Sequence, residues 1–304
     1  MAGIAVVGSI NTDISIQVGK MPKLGETVRG ENYRVSCGGK GANQAIAAAH
    51  FSKDVSMIGL AGNDAYADLC ISNLKNNGVD CKGIGAAQTN TGIAMITVAG
   101  GDNMIILNDG ANALVDIDYI NENKYLIENA EYVIFQFEIP LKTVFEAIKY
   151  VKSLGKKVVL NPAPIYEIPD DIYENIDIFI LNEHEASSVL GYEISAQNAK
   201  EAVKNICAKG AGQVVITLGS DGCVYNNGSD IIAMEALKVN AVDTTAAGDT
   251  FIGAFCACLL NEKTIDEAVE FATFASAITV SRPGAADSIP FLEEVEAYIR
   301  KHRG

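Results

Sequence analysis

The chain has 304 residues, 49% of them apolar, and a formal charge of −15. That length allows one large α/β domain or two small ones around a sizeable core, and the acidity argues against non-specific nucleic-acid binding, which needs a basic face. An anionic ligand would therefore need a locally positive pocket or one built from backbone N–H groups.

The opening MAGIAVVGSINTD has neither the basic start nor the long apolar run of a secretory signal. Within it, Ile4-Ala-Val-Val-Gly8 predicts a buried first strand. Segments 14–18, 27–36, 91–98 and 103–108 tend to alternate polar and apolar residues, the pattern of strands with one wet face, and predict a small sheet outside the main core. Between them, the Ala-rich stretch 39–49 predicts a helix and 55–60 a strand. From Tyr132 onward, strands at 132–135, 157–160, 176–181 and 213–218 alternate with helical stretches, as βαβ units on a parallel sheet do. The last third reads as mainly helical, at 248–260, 265–280 and 291–301. No linker or repeat divides the chain. The half-wet strands come from two separate parts of the N-terminal half, so segments of about 14–36 and 91–108 are expected to form a lid on a single 1–304 domain. No stretch nears the roughly 20 apolar residues that span a bilayer, which favours a cytoplasmic protein without membrane or nucleic-acid partners. The seven cysteines are odd in number and scattered, and read as reduced core thiols; Cys256 and Cys258, one residue apart with no histidine near, make no zinc pair.

No P-loop G-x-x-x-x-G-K-[ST] occurs, no G-x-G-x-x-G follows the first strand, and none of His50, His184 and His302 lies in an H-E-x-x-H pattern. The strongest segment is Val242-Asp-Thr-Thr-Ala-Ala-Gly-Asp-Thr-Phe251, where the small residues Ala246, Ala247 and Gly248 open into a helix. The first turn of a helix presents unpaired N–H groups suited to phosphate. Asp249, in that turn, reads either as an N-terminal cap or as a base beside an anion hole. In Cys37-Gly-Gly-Lys-Gly-Ala-Asn-Gln44, three glycines around a lysine let a ligand lie against the backbone, or merely make a turn. Gly8-Ser-Ile-Asn-Thr-Asp13 follows the first strand, where open α/β sheets bind ligands; Asn11 and Asp13 are spaced to face one pocket, unless the segment is a surface turn. Asn182-Glu-His-Glu185 and Thr217-Leu-Gly-Ser-Asp-Gly222 each follow a strand and stay ambiguous alone, Glu185 reading equally as a solvated helix residue.

Taken in order, and with Asn-Pro-Ala-Pro at 161–164, these segments resemble the PfkB carbohydrate kinases, and within that family the ribokinases, from the first strand to about Pro290. The resemblance implies an α/β fold: a ribokinase-like three-layer α/β/α sandwich with a mostly parallel central sheet and a small β-sheet lid. It implies transfer of a phosphate from ATP to a sugar, with D-ribose preferred. Asp249 would be the catalytic base, and the N–H groups of Ala246, Ala247 and Gly248 would hold the phosphoryl oxygens. Asn11, Asp13, Gly39, Lys40, Asn43 and Glu138 would hold the sugar, with Asp249 also touching it; Asn182, Thr217, Gly219 and Gly222 would hold the nucleotide, with Glu185 serving magnesium and phosphate handling. A monovalent cation such as potassium would sit beside Asp243 and Thr245, with Thr279, Arg282, Gly284 and Ser288 opposite, mostly through backbone carbonyls. A homodimer through the lid is also implied. The chain departs from the family at Asp221, where ribokinases often carry a basic residue, at Leu181 in place of a common proline, and at Pro283, Ala286 and Asp287 in the cation loop. A kinase of the same fold for deoxyribose or adenosine stays open, as does a non-catalytic sugar-binding protein, against which Asp249 and both glycine turns count.

Overall fold

Every residue of β1 (Gly3–Val7) is buried. Ile4 and Val6 enter one apolar cluster, while Ala5 and Val7 enter a second on the opposite face. A strand buried on both faces needs helices on both, and the chain supplies them by alternation. The structure, a computed structural model, describes residues 3–100 and 102–303. After β1 come β2 (Asn11–Val18), β3 (Gly30–Gly38), α1 (Lys40–Phe51), β4 (Val55–Ala61), α2 (Ala65–Asn76), β5 (Asp80–Ala86), β6 (Gly92–Ala99) and β7 (Asp102–Asn108). Helices α3 (Ile117–Glu122) and α4 (Lys124–Glu128) lead to β8 (Ala130–Phe135), α5 (Leu141–Ser153), β9 (Lys157–Leu160), α6 (Asp170–Tyr173), β10 (Ile178–Asn182), α7 (Glu183–Leu190), α8 (Ala199–Ala208) and β11 (Gln213–Thr217). The chain ends through β12 (Cys223–Asn226), β13 (Ile231–Met234), α9 (Ala247–Leu260), α10 (Ile265–Val280) and α11 (Leu292–Arg303).

Nine strands form the central sheet in the order β13-β12-β11-β10-β9-β8-β1-β4-β5. It is parallel from β11 to β5, and β12 and β13 add antiparallel at one edge. Residues of α1, α9 and α10 cover one face, and residues of α5 and α8 the other. The expected three-layer sandwich is therefore present. The small sheet is separate, in the order β3-β2-β6-β7.

Four details differ from the sequence reading. The three helices expected in the last third are present, but the β12–β13 hairpin that precedes α9 was not foreseen, its four-residue strands being too short to show a period. The glycine-interrupted β5 was also missed. Strand β10 begins at Ile178, two residues later than expected, and runs into Asn182. In the small sheet β2 starts at Asn11 and β3 runs to Gly38, so both extend to the segments that join them to β1 and α1, while residues 19–29 between them form no strand.

Helices α1 and α9 touch backbone to backbone. A Cβ on Gly253 would lie 2.5 Å from both Ala47 Cβ and Ala48 N, so only glycine fits at this crossing. The Ala-rich sequence of α1 serves the same approach, which sets Asn43 and Gln44 of α1 against Asp249 of α9. Among the described residues no helix is long and apolar enough to cross a membrane, and all seven cysteines are free.

Candidate active site

The carboxyl ends of the central strands meet here. Residues just past β1, β8 and β9 and at the ends of β10 and β11 supply Ser9, Gln136, Asn161, Asn182 and Thr217. A cavity of about 480 Å³ gathers all six expected sugar-binding residues, Asn11, Asp13, Gly39, Lys40, Asn43 and Glu138, with Asp249. Asn11 and Asp13 alternate along β2 and so share one face; neither lies in a surface turn. Asn112 fixes the first, its Nδ2 donating to Asn11 Oδ1 at 2.7 Å. Gly39 has φ 92° and precedes Lys40, the first residue of α1; a Cβ there would lie 2.9 Å from Asn11 N. The turn is thus both structural and part of the cavity wall. Lys40 N and Ser9 Oγ both donate to Glu138 Oε2, at 2.9 and 2.5 Å. From the small sheet, Ala94, Ile96, Ile105 and Leu107 close the cavity with an apolar wall.

Asp249 is not a helix cap. The cap position of α9 is Ala246, in the left-handed conformation with φ 60°, and it makes no side-chain capping bond. Asp249 lies two residues inside the helix, buried, with Oδ2 accepting from Asn43 Nδ2 at 3.1 Å and Oδ1 from Gln44 Nε2 at 2.9 Å. The N–H groups of Ala246 and Gly248 have no partner among the described residues. That of Ala247, expected to join them, instead donates to Thr244 O at 3.3 Å. Ala246 and Gly248 line the cavity, so free N–H groups and the positive end of a 14-residue helix face the carboxylate site.

Burial and the neighbouring carboxylates of Glu138 and Asp249 raise the Asp13 pKa to about 6. Burial also raises Glu138 and Glu185, the first against hydrogen bonds from Ser9 and Lys40 N. Burial alone would depress Lys40, but Asp249, Glu138 and Glu185 outweigh it and hold the ammonium above its usual value. The cavity thus sets four carboxylates about one lysine. Glu185 is buried rather than solvated and forms a capping box with Asn182: Glu185 N donates to Asn182 Oδ1 at 2.8 Å, and Asn182 N to Glu185 Oε2 at 2.9 Å.

A second cavity, about 510 Å³, lies on the other side of the α9 terminus and shares Thr217, Thr244 and Gly248 with the first. Gly219 and Gly222 line it opposite the apolar Leu237, Val239, Ala277 and Val280. Asn182 and Glu185 line the first cavity instead. Asp221 is exposed, and Leu181 is buried at the end of β10.

Beside the helix terminus, Asp243 Oδ1 accepts from Thr245 N at 2.9 Å and from Thr245 Oγ1 at 2.6 Å, and its Oδ2 accepts from Gly284 N at 3.1 Å. Burial would raise the Asp243 pKa, but these bonds prevail and lower it. Other side chains expected near a cation turn elsewhere. Thr279 Oγ1 donates to Ala275 O at 3.2 Å, Ser288 Oγ to Ala285 O at 2.7 Å, and the Arg282 guanidinium to Glu294 at 2.6 Å. Those three are left with backbone carbonyls to offer. Among the described residues no cluster of three His, Cys, Asp or Glu side chains could hold a metal.

Ser9, Gln44 and Asn161 lie in the motifs quoted above but carry no role assigned from sequence, and Asn112 and Gln136 lie outside those motifs. Lone uncharged polar residues give little local signal.

Comparison with known proteins agrees with the geometry. Residues 1–292 match the model of the pfkB family carbohydrate kinases. The chain is 40% identical to the ribokinase of Schizosaccharomyces pombe, with 97% of each chain covered. It is 33% identical to the deoxyribokinase of Salmonella typhi, over 97% of this chain and 98% of that one. The structure of Arabidopsis thaliana ribokinase complexed with ribose and ATP superposes with a TM-score of 0.92 at 31% identity, covering 99% of both chains. Motifs, fold and the full-length relatives together place this chain in the pfkB family of carbohydrate kinases.

Proposed function

We propose that the protein transfers the γ-phosphate of ATP to the 5-hydroxyl of D-ribose. The observation that carries this reading is Asp249, a carboxylate with each oxygen held by one carboxamide, beside the wall shared by a polar cavity and an apolar one. In this reading Asn11, Asp13, Lys40, Asn43 and Glu138 bind the sugar hydroxyls, and Asp249 takes the proton of the attacking hydroxyl. The free N–H groups of Ala246 and Gly248 meet the charge on the phosphoryl oxygens. Phosphoryl transfer asks mainly for positioning and charge stabilisation, which these parts supply. The apolar wall of the small sheet acts as a lid that keeps water from the reacting hydroxyl.

ATP would lay its base in the second cavity against Leu237 and Val239, with Gly219 and Gly222 allowing close approach of the backbone. With no three His, Cys, Asp or Glu side chains converging on one point among the described residues, magnesium would be held mainly by the nucleotide phosphates and water, with Glu185 meeting its water shell. Magnesium would supply charge neutralisation between the phosphates. Asp243 with the 279–288 loop would hold potassium, which adds positive potential near the helix terminus.

The deoxyribokinase relative favours a second reading, a 2-deoxy sugar as substrate. A sugar lacking one hydroxyl leaves a buried polar group unpaired, at a cost of roughly 1–3 kcal/mol. A coupled ADP-release assay with ribose, deoxyribose, fructose and adenosine, run in potassium and in sodium at equal ionic strength, is expected to give the highest kcat/KM for ribose and more turnover in potassium. A higher value for deoxyribose or adenosine replaces the substrate assignment, and equal rates in the two salts remove the potassium site.

The outer strand of the small sheet, β7, is exposed along its whole length, with Met104, Ile105, Ile106 and Leu107 each about half accessible. Such an edge calls for a cover, and we propose that a second copy of the chain supplies it. Light scattering is expected to give about twice the 32.2 kDa chain mass, whereas a single species at that mass contradicts the dimer.

Asp13 also sets a pH dependence. Its folded pKa of about 6 lies above the unfolded value, so the folded protein binds the proton more tightly. The stability this contributes is complete below about pH 4 and lost as pH rises through 6. Asp13→Asn is expected to raise the melting temperature at pH 8, with the gain shrinking as pH falls toward 4; a gain that is constant with pH contradicts this.

A further inference from the structure

Gln44 lines neither cavity and is fully buried, yet its carboxamide uses three of its four hydrogen-bonding positions. Nε2 donates to Asp249 Oδ1 at 2.9 Å and to Asn161 Oδ1 at 3.2 Å, and Oε1 accepts from Gln136 Nε2 at 2.6 Å. The negative charge of Asp249 dictates this orientation. Turning the amide over would set its oxygen against the oxygens of Asp249 and Asn161 and its N–H against the Gln136 donor. With Gln44 Oε1 facing Gln136, that residue must offer an N–H in turn, and its own Oε1 is left buried without a partner among the described residues. Room for Gln136 exists only because residue 8 is glycine, whose Cβ would lie 2.0 Å from Gln136 Oε1.

The chain of amides also continues the other way. Asn161 Nδ2 donates to Ile180 O at 3.1 Å and reaches Glu185 Oε2 at 3.4 Å. One bridge, Gln44 to Asn161, therefore joins Asp249 to Glu185 across elements far apart in the sequence. A leucine or methionine at position 44 would fill the same space. A carboxamide there, at the cost of an orphaned carbonyl behind it, has work that packing does not explain.

We propose that Gln44 is a positioning residue for phosphoryl transfer. It holds the Asp249 carboxylate in one rotamer, with the remaining lone pairs turned to the cavity, and through Asn161 fixes Asp249 relative to Glu185. This rests on Asp249 acting as the base. Gln44 then acts on turnover and leaves substrate binding alone, because the sugar-binding residues and the second cavity do not depend on it.

The test uses the full chain with ribose, ATP, magnesium and potassium. Gln44→Met is expected to lower kcat by about 10–100-fold, the scale of a misplaced reacting group, with KM for ribose and ATP within about threefold. In an Asp249→Asn background the same substitution is expected to cost less than about twofold, since nothing is left to position. Gln44→Glu adds a readout that a structural role would not move: only the protonated acid can donate to Asp249, so its kcat relative to wild type should rise as pH falls. Wild-type turnover in Gln44→Met, equal losses in both backgrounds, or a flat pH ratio for Gln44→Glu overturns the inference. Should Gln44→Met fail to fold, the pH ratio of Gln44→Glu decides alone. An Asp249→Asn protein with full turnover removes the base and this inference together, an outcome distinct from an inactive Asp249→Asn beside an unimpaired Gln44→Met.

Discussion

The contact between α1 and α9 governs the rest of the site. At Gly253 the two helices approach so closely that a Cβ would not fit, and one turn nearer the helix N-termini the carboxamides of Asn43 and Gln44 close on Asp249. A buried carboxylate without partners would be costly and would tend to neutralise. Here each oxygen has a donor, and the donors sit on a different helix. The position of the carboxylate is thus a property of the core, set by Ala-rich packing, and not of a flexible loop. The same helix opens with the free N–H groups of Ala246 and Gly248, so the carboxylate and those groups share one rigid element.

The charge pattern has a related logic. In the proposed reading, a chain with a net charge of −15 would still attract a polyphosphate through backbone N–H groups at a helix terminus and through Lys40, itself held charged by the carboxylates around it. Those carboxylates suit hydroxyl donors. Burial raises the pKa values of Asp13, Glu138 and Glu185, and the repulsion between neighbouring carboxylates adds to it. A cation and a polyhydroxyl ligand would both relieve that repulsion.

Much of this was legible in the sequence, for physical reasons. Strands buried on both faces read as apolar runs between helices, and strands with a wet face read as alternation, so both sheets were visible. The β12–β13 hairpin and β5 were not, being too short or too glycine-rich to carry a period. The small-residue turn at 246–248 and the glycines at 38–41 were recognisable because only such residues allow the backbone to line a cavity. Asp249 shows the limit. Its first-turn position fits a cap as well as a base, and the amides that hold it away from a capping role lie 206 and 205 residues away in the chain. The roles of Gln136, Asn161 and Gln44 were hidden for the same reason: uncharged amides leave no local pattern of their own, and their partners come from distant elements.

The most direct test of the account is the Asp249→Asn enzyme, with turnover and ribose binding measured side by side. The substitution keeps the size of the side chain and removes the base. Turnover is expected to fall by about 10²–10⁴-fold, with ribose affinity within about threefold of wild type because Asn11, Asp13, Lys40, Asn43 and Glu138 remain. Near-normal turnover in Asp249→Asn would contradict the central claim.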